Sequence, residues 1–170
     1  MAMSLRSSKP DLRSSAAYSS PPTRSSVSTT SHLQAFHRYL FAGLYEWAGE
    51  LRTVVLAKTD LFCLPEHIES YGAEIFGELA EEDWLRGLGR ESFIDRLALY
   101  LGDVNALHPF RDGNGRAQRT FFAQLAANAG YQLDWQLVDP QDNIDASVAA
   151  MQGNEAPMRN LLDEIVKSIA

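Results

Sequence analysis

The chain has 170 residues, is 45% hydrophobic and carries a formal net charge of −7. That length and apolar content are enough for one solid core and a single folded domain once the N-terminal stretch is set aside. The acidic balance excludes broad attraction to nucleic acid or an anionic membrane. No segment reaches transmembrane length, and the single cysteine, Cys63, excludes an internal disulfide and fits a reducing compartment.

Residues 1–31 hold eleven serines, one acidic residue and no apolar periodicity, which predicts disorder. Their Ser/Arg-rich, acid-poor composition fits a transit peptide, the unstructured secretion signal of a translocated effector, or a misassigned start; it lacks the apolar run of a secretory signal peptide. The folded domain is expected at 32–170. Its first helix is read from Leu33, Phe36, Leu40, Phe41 and Leu44. The runs Arg52-Thr53-Val54-Val55-Leu56 and Leu61-Phe62-Cys63-Leu64 flank Ala57-Lys58-Thr59-Asp60 and read as a short β-hairpin, too small to stand alone in water. Ile68, Tyr71, Ile75 and Leu79 form the next helical stripe. Phe93, Ile94, Leu97, Tyr100, Leu101 and Val104 form another, with Ser92 and Asp95 suited to its start. Phe121, Phe122, Leu125 and Ala126 continue the pattern to Gly130, a helix-ending glycine. Tyr131, Leu133 and Trp135 then alternate as a short extended segment, and Met158, Leu161, Leu162, Ile165, Val166 and Ile169 make a last helical stripe. The fold class is all-α, a helical bundle with one small hairpin and no internal repeat.

Between the third and fourth stripes runs His108-Pro109-Phe110-Arg111-Asp112-Gly113-Asn114-Gly115-Arg116-Ala117-Gln118-Arg119. A helix opening directly after Gly-Asn-Gly leaves unpaired N–H groups and the positive end of its dipole facing the loop, a ready site for phosphate. Gly113 and Gly115 let the backbone approach an anion. Arg116 and Arg119, three apart, can aim both guanidinium forks at one anion, and Asn114 can donate an amide hydrogen bond to a phosphate oxygen. Asp112 supplies the hard oxygen that Mg²⁺ accepts alongside substrate phosphates. His108 is placed to take a proton from an attacking hydroxyl. Phe110 reads as the apolar anchor of the loop and Arg111 as solvent-facing, while His32, His37 and His67 read as structural or incidental. The layout suggests attack by a hydroxyl on a bound, metal-neutralised phosphate.

This segment resembles the signature of the Fic family, His-Pro-Phe-x-[Asp/Glu]-Gly-Asn-Gly-Arg-x-x-Arg, at all nine specified positions. The resemblance extends over roughly residues 33–135 and includes Trp47-Ala48-Gly49-Glu50-Leu51-Arg52 ahead of the hairpin. It implies a Fic-type bundle and transfer of AMP from ATP, with Mg²⁺, to a Ser, Thr or Tyr hydroxyl of a target protein. His108 would be the general base, Asp112 would hold magnesium, Gly113, Asn114, Gly115 and Arg116 would bind the α- and β-phosphates, Arg119 would reach the γ-phosphate, and Phe110 would belong to the nucleotide site. The 52–64 hairpin would be a flap that holds the target by strand pairing, with Lys58 and Thr59 at its tip as target or nucleotide contacts.

Fic enzymes are commonly held off by a glutamate in [Ser/Thr]-x-x-x-Glu-[Gly/Asn] that pairs with the last motif arginine, here Arg119. No glutamate in the chain meets that pattern; Glu155 has Met151 four before it and Ala156 after it. This implies a toxin restrained by a separate small antitoxin-like protein, or an enzyme not regulated by this route. Rival activities are a kinase like the Doc branch, whose motif carries lysine where Gly115 stands, phosphocholine transfer, and a silent nucleotide-binding module, against which His108 weighs. A bacterial cytoplasmic location is expected, with an effector delivered to a host cell as the alternative.

Overall fold

The computed structural model describes residues 30–169. The predicted disorder of residues 1–31 therefore lies outside the described residues, save that Thr30 and Ser31 already belong to the first helix. Six α-helices and one small sheet follow: α1 (Thr30–Phe41), α2 (Ile68–Glu81), α3 (Arg90–Leu107), α4 (Asn114–Ala129), β1 (Tyr131–Leu133), α5 (Pro140–Met151), α6 (Ala156–Ile165) and β2 (Val166–Ser168).

α3 is the hub, because it is apolar on nearly every side and must be enclosed. Phe93, Ile94, Leu97, Ala98, Tyr100, Leu101, Val104 and Leu107 are all buried, and α2, α4, α5 and α6 surround it. Gly102 lets α5 approach, since a Cβ there would sit 3.2 Å from the Ala150 Cβ. α1 lies across α4 and α2, sealing Leu33 and Phe36 against Phe121.

Four expectations need correction. α3 starts at Arg90 after Gly89, two residues before Ser92, with no side-chain cap. α1 stops at Phe41, which leaves Leu44 in the following turn, 68% exposed and outside the core stripe. The last helix ends at Ile165; β1 offers an open edge, and Val166–Ser168 pairs antiparallel with it, Leu133 opposite Val166 and Tyr131 opposite Ser168. The predicted 52–64 hairpin is a chain reversal with a single antiparallel bridge, Ala57 to Leu61, and no strand ladder. Its limbs bond elsewhere: Arg52 N–H donates to the Pro109 carbonyl and Cys63 N–H to the Ala106 carbonyl, each at 2.9 Å. The small sheet of the fold is therefore β1–β2, and the reversal is a flap tied to the end of α3.

α5 was not anticipated. Only Ala146 of it is fully buried, so its apolar period is weak. Its start is nonetheless written in Asp139-Pro140: the Asp139 carboxylate accepts the Gln141 N–H at 2.7 Å and proline occupies the first turn.

Candidate functional site

α3 ends and α4 begins within seven residues, and the turn between them carries the site. His108 caps α3 in a left-handed conformation, φ 42° and ψ 60°, which swings its side chain out of the helix line. Gly113 is the second pivot, φ 78°. A Cβ there would lie 2.5 Å from the Phe41 ring, so glycine is required by both backbone and space. Asn114 locks the turn: its Oδ1 accepts the Phe110 N–H at 2.9 Å and its Nδ2 donates to the Phe110 carbonyl at 2.7 Å. This corrects the expectation of an Asn114 side chain on phosphate, because that side chain is buried and committed to the loop. Phe110 is fully buried and stacks on His37 at 3.9 Å, an anchor beneath the site and not part of its wall.

The first helical bond of α4 runs from Ala117 N–H to the Gly113 carbonyl, so the N–H groups of Asn114, Gly115 and Arg116 precede it and face the loop unspent by the helix. Arg116 lies over the Phe41 ring at 4.4 Å. Arg119 reaches back along the helix, its Nη1 3.4 Å from where a Gly115 Cβ would stand. Among the described residues neither arginine has a carboxylate within ion-pair distance. Two cations and three free N–H groups thus meet at one helix start.

Asp112 sits at the lip, exposed. Its Oδ2 accepts the Tyr45 hydroxyl and its Oδ1 the Gly113 N–H, both at 2.7 Å. Those bonds, with the charge of Arg116, hold its carboxyl below the usual carboxylate range. Among the described residues no cluster of three or more His, Cys, Asp or Glu forms a metal cage. A single ionised carboxylate fits a magnesium ion completed by phosphate oxygens and water, and fits poorly a metal needing several protein ligands.

His108 faces the recess from the other side. The Phe62 ring of the flap stacks on it at 3.8 Å and 12°, and its Nδ1 is buried, with the Asn105 carbonyl as a weak backbone partner outside full hydrogen-bond geometry. Burial above all, then the charges of Lys58 and Arg52, push its pKa down to about 4, with the Asn105 backbone carbonyl and Asp112 pulling the other way. The imidazole is neutral at physiological pH, and Nε2 is the nitrogen left to meet a ligand.

These parts enclose a recess of about 340 Å³ lined by Leu56, Ala57, Lys58 and Phe62 of the flap and by His108 and Arg111–Arg116. Of the predicted site residues, His108, Asp112, Gly113, Asn114, Gly115, Arg116 and Lys58 come together here. Arg111, read as solvent-facing, is exposed but also lines the wall, its guanidinium 5.9 Å from the Trp47 ring. Thr59 does not reach it. With Lys58, it lines a second recess of about 90 Å³ between the flap tip and Asn143, Ile144 and Val148 of α5.

Four residues that shape the site were not singled out for it from sequence. Tyr45 orients Asp112, Phe62 covers His108, Arg52 braces the flap, and His37 holds the loop, accepting the Gly49 N–H on Nδ1 and donating from Nε2 to the Asp112 carbonyl. Arg52 carries a signal as the last residue of the Trp47–Arg52 segment and Phe62 as part of the predicted hairpin, whereas Tyr45 and His37 act across a fold the sequence does not display.

The chain is 44% identical over 132 residues to the protein adenylyltransferase VbhT of Bartonella schoenbuchensis, covering 77% of this chain and 28% of that protein. It is 40% identical over 136 residues to the probable protein adenylyltransferase Fic of Escherichia coli K12, covering 79% of this chain and 68% of that one. The chain thus spans little more than a quarter of the first relative and about two thirds of the second. Among solved structures it resembles the ADP-bound N-terminal Fic domain of a VirB-translocated Bep effector protein from Bartonella quintana, with TM-score 0.79, 28% identity, and 88% and 76% of the two chains covered. It also resembles the AMPPNP-bound BepC protein of Bartonella tribocorum, with TM-score 0.80, 26% identity, and 90% and 80% covered. The family model described as Fic/DOC matches residues 27–126, the span that holds the flap, the base and the anion cradle, and the chain belongs to the Fic/DOC family.

Proposed function

We propose that the chain transfers AMP from ATP to a hydroxyl of a target protein. The observation that carries this reading is a buried, neutral His108 set across one recess from Arg116 and a helix start with unspent N–H groups, with Arg119 further along the same helix and neither arginine in an ion pair among the described residues. The triphosphate lies along the start of α4, its α- and β-phosphates on the Gly113–Arg116 backbone and the Arg116 guanidinium, its γ-phosphate toward Arg119. Asp112 would hold a Mg²⁺ ion, which when bound would supply charge neutralisation to the phosphates. The acceptor hydroxyl enters under the flap and gives its proton to His108 Nε2 as its oxygen forms a bond to the α-phosphorus. The bond from that phosphorus to the bridging oxygen breaks, and pyrophosphate leaves. The cradle neutralises charge throughout, the main task in this class of transfer.

Two features favour AMP transfer over phosphorylation. Gly115 leaves the backbone open to the phosphates, where the lysine of the Doc-type motif would set a long cationic side chain at the helix start. The relatives described as adenylyltransferases share this span. The flap receives the target at its exposed edge, where Val54, Val55 and Leu61 stand 47–58% exposed. Because no carboxylate of the described residues pairs with Arg119, restraint is assigned to a separate antitoxin-like protein that places a glutamate there, and the chain is read as a toxin. A bacterial cytoplasm is the expected place of action. Likeness to VirB-translocated effector domains supports delivery into a host cell as the second reading. Product analysis tests the reaction: ATP consumed with target-containing lysate must yield pyrophosphate with wild type and none with His108→Ala, whereas ADP as the product would mark a kinase.

A further inference from the structure

Arg52 is the most enclosed cation in the described residues, 2% exposed, and it belongs to neither the cradle nor the base. Its Nε donates to the His108 carbonyl at 2.7 Å and its Nη1 to the Val54 carbonyl at 2.8 Å. Its Nη2 donates to the carbonyls of Cys63 and Leu107, and its backbone N–H to that of Pro109. One side chain therefore ties the two limbs of the flap, at Val54 and Cys63, to the last carbonyls of α3. A guanidinium suits this because its fork presents fixed donors in several directions and stays charged when buried. The last carbonyls of a helix, at the negative end of its dipole, are the natural acceptors.

The flap has no ladder of its own beyond the Ala57–Leu61 bridge. Its base is held by the Arg52 guanidinium, which spans both limbs, together with the Cys63 N–H bond to Ala106, and Phe62, next to the bonded Cys63, is the residue stacked on the His108 ring. The same guanidinium grips the His108 carbonyl, at a left-handed residue whose backbone angle decides where the imidazole points.

We propose that Arg52 is a positioning residue of the transfer reaction: by bonding the flap limbs and the His108 carbonyl with one guanidinium, it fixes the distance between a flap-docked hydroxyl and the base. The inference rests on the reading of His108 as base and of the flap as target dock. It separates this role from a general contribution to folding, because the nucleotide cradle hangs on Asn114, Gly113 and His37, none of which Arg52 touches through its side chain.

The test uses the full chain with Arg52→Lys and Arg52→Gln, neither of which can reproduce the fork. The first readout is the proton NMR of the histidine rings. In wild type the stacking of Phe62 on His108 is expected to shift the His108 ring protons upfield, and that of Phe110 on His37 to do the same for His37, which serves as an internal marker of the folded loop. In both variants the His108 signals are expected to move toward free-histidine positions while those of His37 stay. The second readout pairs ADP binding with AMP incorporation from α-labelled ATP into lysate protein. ADP affinity should hold within about threefold while incorporation falls on the order of a hundredfold, the scale expected when reacting groups shift by about an ångström. Wild-type incorporation by either folded variant overturns the proposal, as does parallel loss of the His37 marker and ADP binding. If wild type incorporates no label but the His108 signals still depend on Arg52, the adenylyl-transfer reading fails and the brace stands.

Discussion

His108 keeps its ring neutral because enclosure, Lys58 and Arg52 all oppose a proton there. A neutral base pre-positioned against Phe62 avoids having to shed a proton at physiological pH, and the negative phosphates of a bound nucleotide would favour the proton that arrives during transfer. The same burial has a thermodynamic consequence. The folded-state pKa, about 4, lies below the ordinary 6.5, so the unfolded chain binds the proton better. The folded state loses stability as pH falls from about 6.5 toward 4, and His37, also lowered by burial, acts in the same direction. Denaturant unfolding at pH 7 and pH 4.5 should show wild type losing more stability than His108→Gln, by on the order of 2 kcal/mol; equal losses would contradict a buried neutral imidazole. Gly113 makes a second test. Gly113→Ala strains a backbone at φ 78° and drives a methyl into Phe41, whereas Gly115→Ala meets only the tip of Arg119 at 3.4 Å. Thermal melts should find Gly113→Ala destabilised by about 2 kcal/mol or more, through strain and overpacking together, with Gly115→Ala close to wild type.

The start of α4 is where element and chemistry coincide, and its neighbours decide how far that geometry holds. α5 backs the flap: Gln152 donates to Asp60 at 3.1 Å, and the close approach of α5 to α3 depends on Gly102. Gly102→Val should push α5 outward and cost about 1–3 kcal/mol, read by thermal melts; a melting temperature equal to wild type would contradict the close α3–α5 approach. The helices other than α5, and the turn before α4, are legible in the chain because both are local: α2 and α4 follow their apolar periods, and Gly113 and Asn114 announce the turn by residue type. The flap was legible only in part. Its alternating residues suggest strands, but Arg52 and Ala106 take the bonding positions a ladder needs, and a side-chain bridge between distant carbonyls leaves no periodic trace. α6 ended early for a related reason, since β1 supplies an edge that the stripe from Met158 to Ile169 does not reveal. Asn114 shows the limit at the site itself: residue type predicts a phosphate donor, while the fold spends the amide on Phe110.

At the scale of the whole molecule, a helical hub presents one recess in which flap, base and helix start converge, and no carboxylate of the described residues forms an ion pair with Arg116 or Arg119. An unrestrained site predicts that wild type slows bacterial growth when expressed alone and that His108→Ala at equal abundance does not; equal growth with folded wild type would point away from the toxin reading. The central claim, that the recess aligns the α-phosphate of ATP with a hydroxyl and His108, is tested most directly by label transfer into lysate protein with Mg²⁺ and ATP labelled at either the α- or the γ-phosphate. The account predicts incorporation from the α-label alone, lost in His108→Ala; incorporation from the γ-label alone, or α-label incorporation that survives that substitution, would contradict it.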